Sequence, residues 1–94
     1  MIYKILVVGS GAREHAIIKS LNRSRHQKEI YCIASNMNPG INELCEDITI
    51  NDINNCSSVV RYAQEKNVQM AIIGPENPLA AGVSDALWNC NIKV

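Results

Sequence analysis

Apolar positions along this chain fall in short bursts separated by polar stretches, and the spacing inside the bursts alternates between two periods. Ile2 to Val8 is a nearly continuous β-branched and aliphatic run ended by Gly9, which predicts a strand buried on both faces. After the turn Gly9-Ser10-Gly11 the pattern becomes helical from Arg13 to about Asn22, with Ala16, Ile17 and Leu21 assigned to one inward face. The polar stretch Arg23 to Lys28 leads to a second strand at Glu29 to Ala34. Pro39 and Gly40 mark Ser35 to Gly40 as a loop.

A third strand is expected at Asp47 to Ile50, and a helix over Asn54 to Lys66 with Val59, Val60 and Ala63 inward, stopping at Asn67. Gln69 to Ile73 predicts a fourth strand, cut off by Gly74-Pro75. Asn77 as N-cap with Pro78 in the first helical position signals a third helix. Its apolar residues Leu79, Val83, Ala86, Leu87 and Cys90 recur on one face, and Asn91 to Val94 predicts a fifth strand. Alternating helices and doubly apolar strands predict an α/β fold: a Rossmann-like parallel sheet, strand order 3-2-1-4-5, helices on both faces. The sequence stops on the last strand with no helix after it to cover the sheet, so residues 1–94 are read as one domain and as a fragment.

With three Tyr, one Trp and no Phe, the core of this 94-residue chain has to be built mainly from Ile, Val, Leu and Ala. Nine basic and nine acidic side chains cancel, which argues against nucleic acid as a partner. No apolar run approaches the roughly 20 residues of a membrane span. The first residues lack the features of a signal peptide, so a cytoplasmic location is expected. Cys32, Cys45, Cys56 and Cys90 form no Cys-x-x-Cys pair and have no histidine beside them, which points to reduced, mostly buried thiols rather than zinc ligands.

Gly9-Ser10-Gly11-Ala12-Arg13-Glu14 joins the first strand to the first helix, a position where glycines let the backbone approach a ligand and helix N–H groups face negative charge. Gly9, Ser10, Gly11, Ala12 and Arg13 are therefore candidate phosphate-binding residues. The dinucleotide fingerprint Gly-x-Gly-x-x-Gly fails twice here. Glu14 stands at the third glycine, and Ile33-Ala34-Ser35-Asn36 lacks the acidic residue expected at the end of the second strand. A nicotinamide-dependent oxidoreductase domain is thereby disfavoured. In the expected strand order, the turn after strand four lines the same crevice, which makes Pro75 and Glu76 candidates as well. A stiffly held Glu76 carboxylate suits a sugar diol or an amine, while its position early in the third helix also suits the helix dipole.

Val7-Val8-Gly9-Ser10-Gly11-Ala12-Arg13-Glu14-His15-Ala16 resembles the opening signature of glycinamide ribonucleotide synthetases. Gly74-Pro75-Glu76-Asn77-Pro78-Leu79-Ala80-Ala81-Gly82-Val83-Ser84-Asp85 is similar to that family's second N-terminal motif, and Asn38-Pro39-Gly40 falls where the family has a Pro-Gly-Asn segment. Ile41 follows Pro-Gly where the family typically has Asn, and Ala12 stands for the commoner Gly. The resemblance runs through essentially the whole chain. It implies the N-terminal pre-ATP-grasp domain of an enzyme that joins 5-phosphoribosylamine to glycine through glycyl phosphate, in purine synthesis. It further implies that ATP and magnesium (or manganese) are held by ATP-grasp and C-terminal domains absent from this sequence, and that this domain helps hold the phosphoribosylamine without catalysing anything alone. A stand-alone ligand-binding module is the remaining alternative. Arg13 suits phosphate binding and a local pair with Glu14 equally. Glu14 reads as a structural residue, His15 as a structural or interdomain one, and Asp85 as a domain contact.

Overall fold

The computed structural model describes residues 2–25, 27–74 and 82–94. Strand β1 (Tyr3–Val8) is followed by α1 (Ala12–Asn22), β2 (Lys28–Ala34), α2 (Pro39–Leu44), β3 (Asp47–Ile50), α3 (Cys56–Glu65), β4 (Met70–Ile73) and α4 (Val83–Trp88). The strands form one parallel sheet in the order β3-β2-β1-β4. Side chains of successive strand residues point to opposite faces, and the core divides accordingly. Leu6 and Val8 of β1, Ile33 of β2 and Ala71 of β4 pack with Val59, Tyr62 and Ala63 of α3 and with Val83 and Leu87 of α4. Val7 of β1 and Ile30, Cys32 and Ala34 of β2 pack on the other face with Ile18 of α1 and Ile41 of α2. Helices therefore cover both faces, as the doubly apolar strands require.

The fifth strand is reduced to one parallel bridge between Lys93 and Met70, which occupies the expected position beside β4. The physical reason is local. Ile92 N–H donates to Leu87 O at 3.0 Å and Asn91 takes a left-handed φ of 65°, so the close of α4 consumes residues through Ile92. Lys93, the first residue past that close, makes the bridge.

Two further expectations are corrected. The segment Ser35 to Gly40 is not all loop, because α2 starts at Pro39. Asn38 caps it, its Oδ1 accepting from Gly40 N–H at 3.0 Å and Ile41 N–H at 3.4 Å. In α1 the inward face is Glu14, Ile18 and, at its edge, Leu21; Ala16 is exposed and Ile17 half-buried. The i, i+4, i+7 spacing of Glu14, Ile18 and Leu21 defines that face. The helix is rotated from the expected orientation because a carboxylate, not an apolar side chain, leads it. Of the four thiols only Cys32 is buried, and the other three are half-buried. Pro75, Glu76, Asn77, Pro78 and Leu79 lie outside the described residues.

Candidate functional site

The carboxyl ends of the strands are aligned. Val8 is level with Ile33 of β2 and Ile73 of β4, so the turns leaving β1, β2 and β4 emerge at one edge of the sheet. Gly9 N–H donates to Ile33 O at 2.9 Å, and Gly74 N–H donates to Val8 O at 3.2 Å. β1 and β4 are neighbours, and α1 and α4 pack on opposite faces of the sheet, which makes the gap between Gly9-Ser10-Gly11 and Gly74 the switch-point crevice of the sheet.

Gly9 is buried at φ 115°, a conformation side chains other than glycine rarely adopt, and its carbonyl accepts from Cys32 Sγ at 3.2 Å. Burial pushes the Cys32 thiol up to about 12, with Cys45 and Glu14 nearby adding to the shift, so the sulfur stays a neutral donor under the turn. Ser10 is half-buried, and its carbonyl accepts from Asn38 Nδ2 at 3.0 Å. Gly11 is the extended N-cap of α1 and offers no side-chain cap. Gly11, Ala12 and Arg13 are exposed, so the dipole end of α1 opens to solvent at the crevice.

Arg13 and Glu14 both reach across to the turn after β4. The Arg13 guanidinium donates to Gly74 O rather than pairing with Glu14. Among the described residues, the ion pairs are Lys4–Glu29 and Lys66–Asp47. Glu14 is 4% exposed, and its carboxylate lies between the two glycines. A Cβ on Gly11 would be 2.9 Å from Oε2, and one on Gly74 would be 2.7 Å from Cγ and nearer still to Oε1. The absence of side chains at Gly11 and Gly74 is what makes room for Glu14. The His15 ring packs on α2, where a Cβ on Gly40 would sit 2.8 Å from Nε2.

The structure thus brings Gly9, Ser10, Gly11, Ala12 and Arg13 together at one crevice, while Pro75 and Glu76 fall outside the described residues. Sequence reasoning missed Cys32 and Asn38, which brace the turn from below and beside it. The signal for Asn38 was present, as an N-cap residue directly before a proline at the first helical position. For Cys32 there was none beyond a place in a buried strand. Among the described residues no group of three or more His, Cys, Asp or Glu side chains could hold a metal ion, and no helix is long and apolar enough to cross a membrane. A hollow of about 240 Å³ at the opposite pole, lined by Tyr3, Ile5, Leu21, Ser24 and Lys28, contains none of these candidates.

Comparisons with known proteins identify the family and the fold. The family described as "Phosphoribosylglycinamide synthetase, N domain" matches residues 3–94. A phosphoribosylamine–glycine ligase of Methanosarcina barkeri is 47% identical over 91 residues, covering 97% of this chain and 21% of the relative. Another, of Methanocella arvoryzae, is 52% identical over 84 residues, covering 89% and 19%. The chain therefore spans about a fifth of the length of these curated relatives (21% and 19%). The crystal structure of phosphoribosylglycinamide synthetase from Anaerococcus prevotii superposes with a TM-score of 0.73 over 97% of this chain and 23% of that one. At 18% identity it shares the fold.

Proposed function

Because the chain belongs to the phosphoribosylglycinamide synthetase N-domain family, we propose that it is the sugar-phosphate-holding N-terminal domain of a phosphoribosylamine–glycine ligase. The whole enzyme joins 5-phosphoribosylamine and glycine to glycinamide ribonucleotide in cytoplasmic purine synthesis. ATP with magnesium or manganese, held by ATP-grasp and C-terminal domains, supplies the phosphoryl group that activates the glycine carboxylate. The role of residues 1–94 is to bind and orient the amine. A nicotinamide oxidoreductase is not supported, since the matching family is a ligase domain and Glu14 occupies the third glycine position.

The observation that carries this reading is the approach of the glycine turn to Gly74 at the end of β4, tied by the Arg13 bond to Gly74 O. The uncapped first turn of α1 presents N–H donors and positive dipole to a 5-phosphate, and the Arg13 guanidinium is close enough to exchange its carbonyl partner for that phosphate. Glu76, two residues beyond Gly74 in sequence, is proposed to accept from the ribose hydroxyls or the amine, with Pro75 stiffening its approach. Holding the phosphate and the sugar at two points fixes the direction from which the amine meets an activated carboxylate.

Titration of the 94-residue chain with ribose 5-phosphate tests the reading. Amide shifts are expected at Gly9, Ser10, Gly11, Ala12 and Gly74. Arg13→Ala should weaken binding roughly tenfold, the size of one charge-assisted hydrogen bond. Shifts centred on Tyr3 and Lys28 at the other end of the strands would refute the assignment. The chain alone is expected to show no ligation and no ATP hydrolysis. Turnover in a preparation free of full-length enzyme would overturn the division of labour between domains.

A further inference from the structure

We infer that Glu14 is a specificity residue, excluding diphosphate-bearing ligands from the crevice between β1 and β4 while leaving the glycine turn open to a single phosphate. The inference rests on the proposed function in one respect, that the turn takes a phosphate at all. In a dinucleotide-binding sheet the third glycine of Gly-x-Gly-x-x-Gly lets helix and strand pack closely, and the pyrophosphate lies over the helix start within this same switch-point crevice. Here the sequence keeps the first two glycines and replaces the third by Glu14.

The side chain does not turn outward to solvent, as a carboxylate at the start of an exposed helix would. It is 4% exposed and wedged between Gly11 and Gly74, whose missing side chains make its space. Its carboxylate therefore occupies the passage between the glycine turn and Gly74, and Arg13 closes the same passage by donating to Gly74 O. A monophosphate at the outer N–H groups of Gly11, Ala12 and Arg13 stays on the solvent side of that wedge. A second phosphate extending across the crevice meets both the volume and the negative charge of Glu14. Rejecting a competitor by a built-in repulsive group is how discrimination is gained where the attractive contacts are shared. Ligands carrying a 5-phosphate and ligands carrying a 5-diphosphate present the same first phosphate to this turn, so the turn by itself cannot tell them apart.

Glu14→Gly restores the glycine fingerprint and empties the passage, whereas Glu14→Gln keeps the volume and removes the charge. Each variant and the parent chain are titrated with ribose 5-phosphate and with ADP, with amide shifts as readout and far-UV circular dichroism confirming the fold. The parent is expected to bind ribose 5-phosphate at the glycine turn and to show no ADP shifts there. Glu14→Gly should gain ADP affinity by roughly tenfold or more, the scale of a like-charge clash relieved. Glu14→Gln, still folded because it is nearly isosteric, should gain less, with ribose 5-phosphate binding retained in both. A purely structural Glu14 would weaken both ligands together and leave their ratio unchanged, and that result overturns the inference. ADP shifts at the turn of the parent chain matching those of ribose 5-phosphate also overturn it. Absence of ribose 5-phosphate binding from every protein, the parent included, sinks the phosphate-site reading and this inference with it, whereas a parent that binds and variants that gain nothing sink only the inference.

Discussion

Asn67 and Asn91 are held at φ 56° and 65°, the left-handed region where most L-residues are strained. Each follows a helix that closes in the same way. Val68 N–H donates back to Ala63 O at 3.1 Å with Asn67 N–H on Gln64 O at 3.2 Å, and Ile92 N–H donates to Leu87 O with Asn91 N–H on Trp88 O, both at 3.0 Å. These paired bonds satisfy carbonyls a helix end leaves open and swing the chain straight into the next extended segment. Asparagine tolerates the conformation through its short polar side chain, while a β-branched residue does not. Asn67→Val is therefore expected to cost roughly 1–2 kcal/mol and Asn67→Gly to be neutral or slightly stabilising. Urea midpoints of the two variants against the parent decide it, and a valine variant as stable as the parent would remove the strain argument. The stop at Asn67 was legible because a run of helical spacing ended there. Glu14 read as a structural residue, but its place at the head of the inward face of α1 was not legible, since pattern reading gives that face to apolar side chains. Only the tertiary neighbours Gly11 and Gly74 create the space that reverses it.

Among the elements, α2 links the fold to the site. Asn38 uses both ends of its amide: Oδ1 caps α2, and Nδ2 donates to Ser10 O in the glycine turn. Two variants separate these roles. Asn38→Ala should lose both, costing about 1 kcal/mol from the cap alone. Asn38→Asp keeps the acceptor for Gly40 and Ile41 but loses the donor to Ser10, so hydrogen exchange should quicken at the glycine turn while α2 stays protected. Equal exchange at Ser10 and Gly11 in the aspartate variant and the parent would show that the Asn38 donor does not brace the turn. Five elements were legible from apolar spacing to within a residue or two: β1, α1, β2, α3 and β4, and β3 runs over Asp47–Ile50 as expected. α2 was missed because six residues with Gly40 in the first turn carry too little periodicity, so that its cap was the only signal. The rotation of α1 was missed for the reason given for Glu14, since the apolar residues Ile17 and Ile18 adjoin and only the neighbour at i−4 chooses between them.

For the whole molecule, the strand order was legible because parallel strands, short connections and one switch point leave few alternatives. The sharing of the core between two faces followed from strands apolar on both sides. That division also fixes a response to pH. Cys32 lies in the α1 and α2 layer, and burial raises its thiol from the ordinary 9.0 to about 12. Cys45 packs against the same layer, with its thiol raised to about 11 by burial and by Asp47. On the opposite face the Tyr62 hydroxyl, donating to Asp47 Oδ2 at 2.8 Å, is raised by burial first and then by that bond. All three groups are neutral when protonated, and the folded state holds their protons more tightly than the unfolded chain. Below about pH 9 both states keep the thiol protons, so the stability is fully present. As pH rises from 9.0 toward about 12, the unfolded chain releases protons that the folded chain retains, and stability falls. Urea midpoints at pH 8, 9 and 10.5 should decline only above pH 9. A Cys32→Ala, Cys45→Ala double variant should start lower, because a buried sulfur is lost, yet decline less steeply over the same interval. Parallel slopes in parent and double variant would mean that the thiols carry no part of the alkaline loss, leaving Tyr62 to explain it.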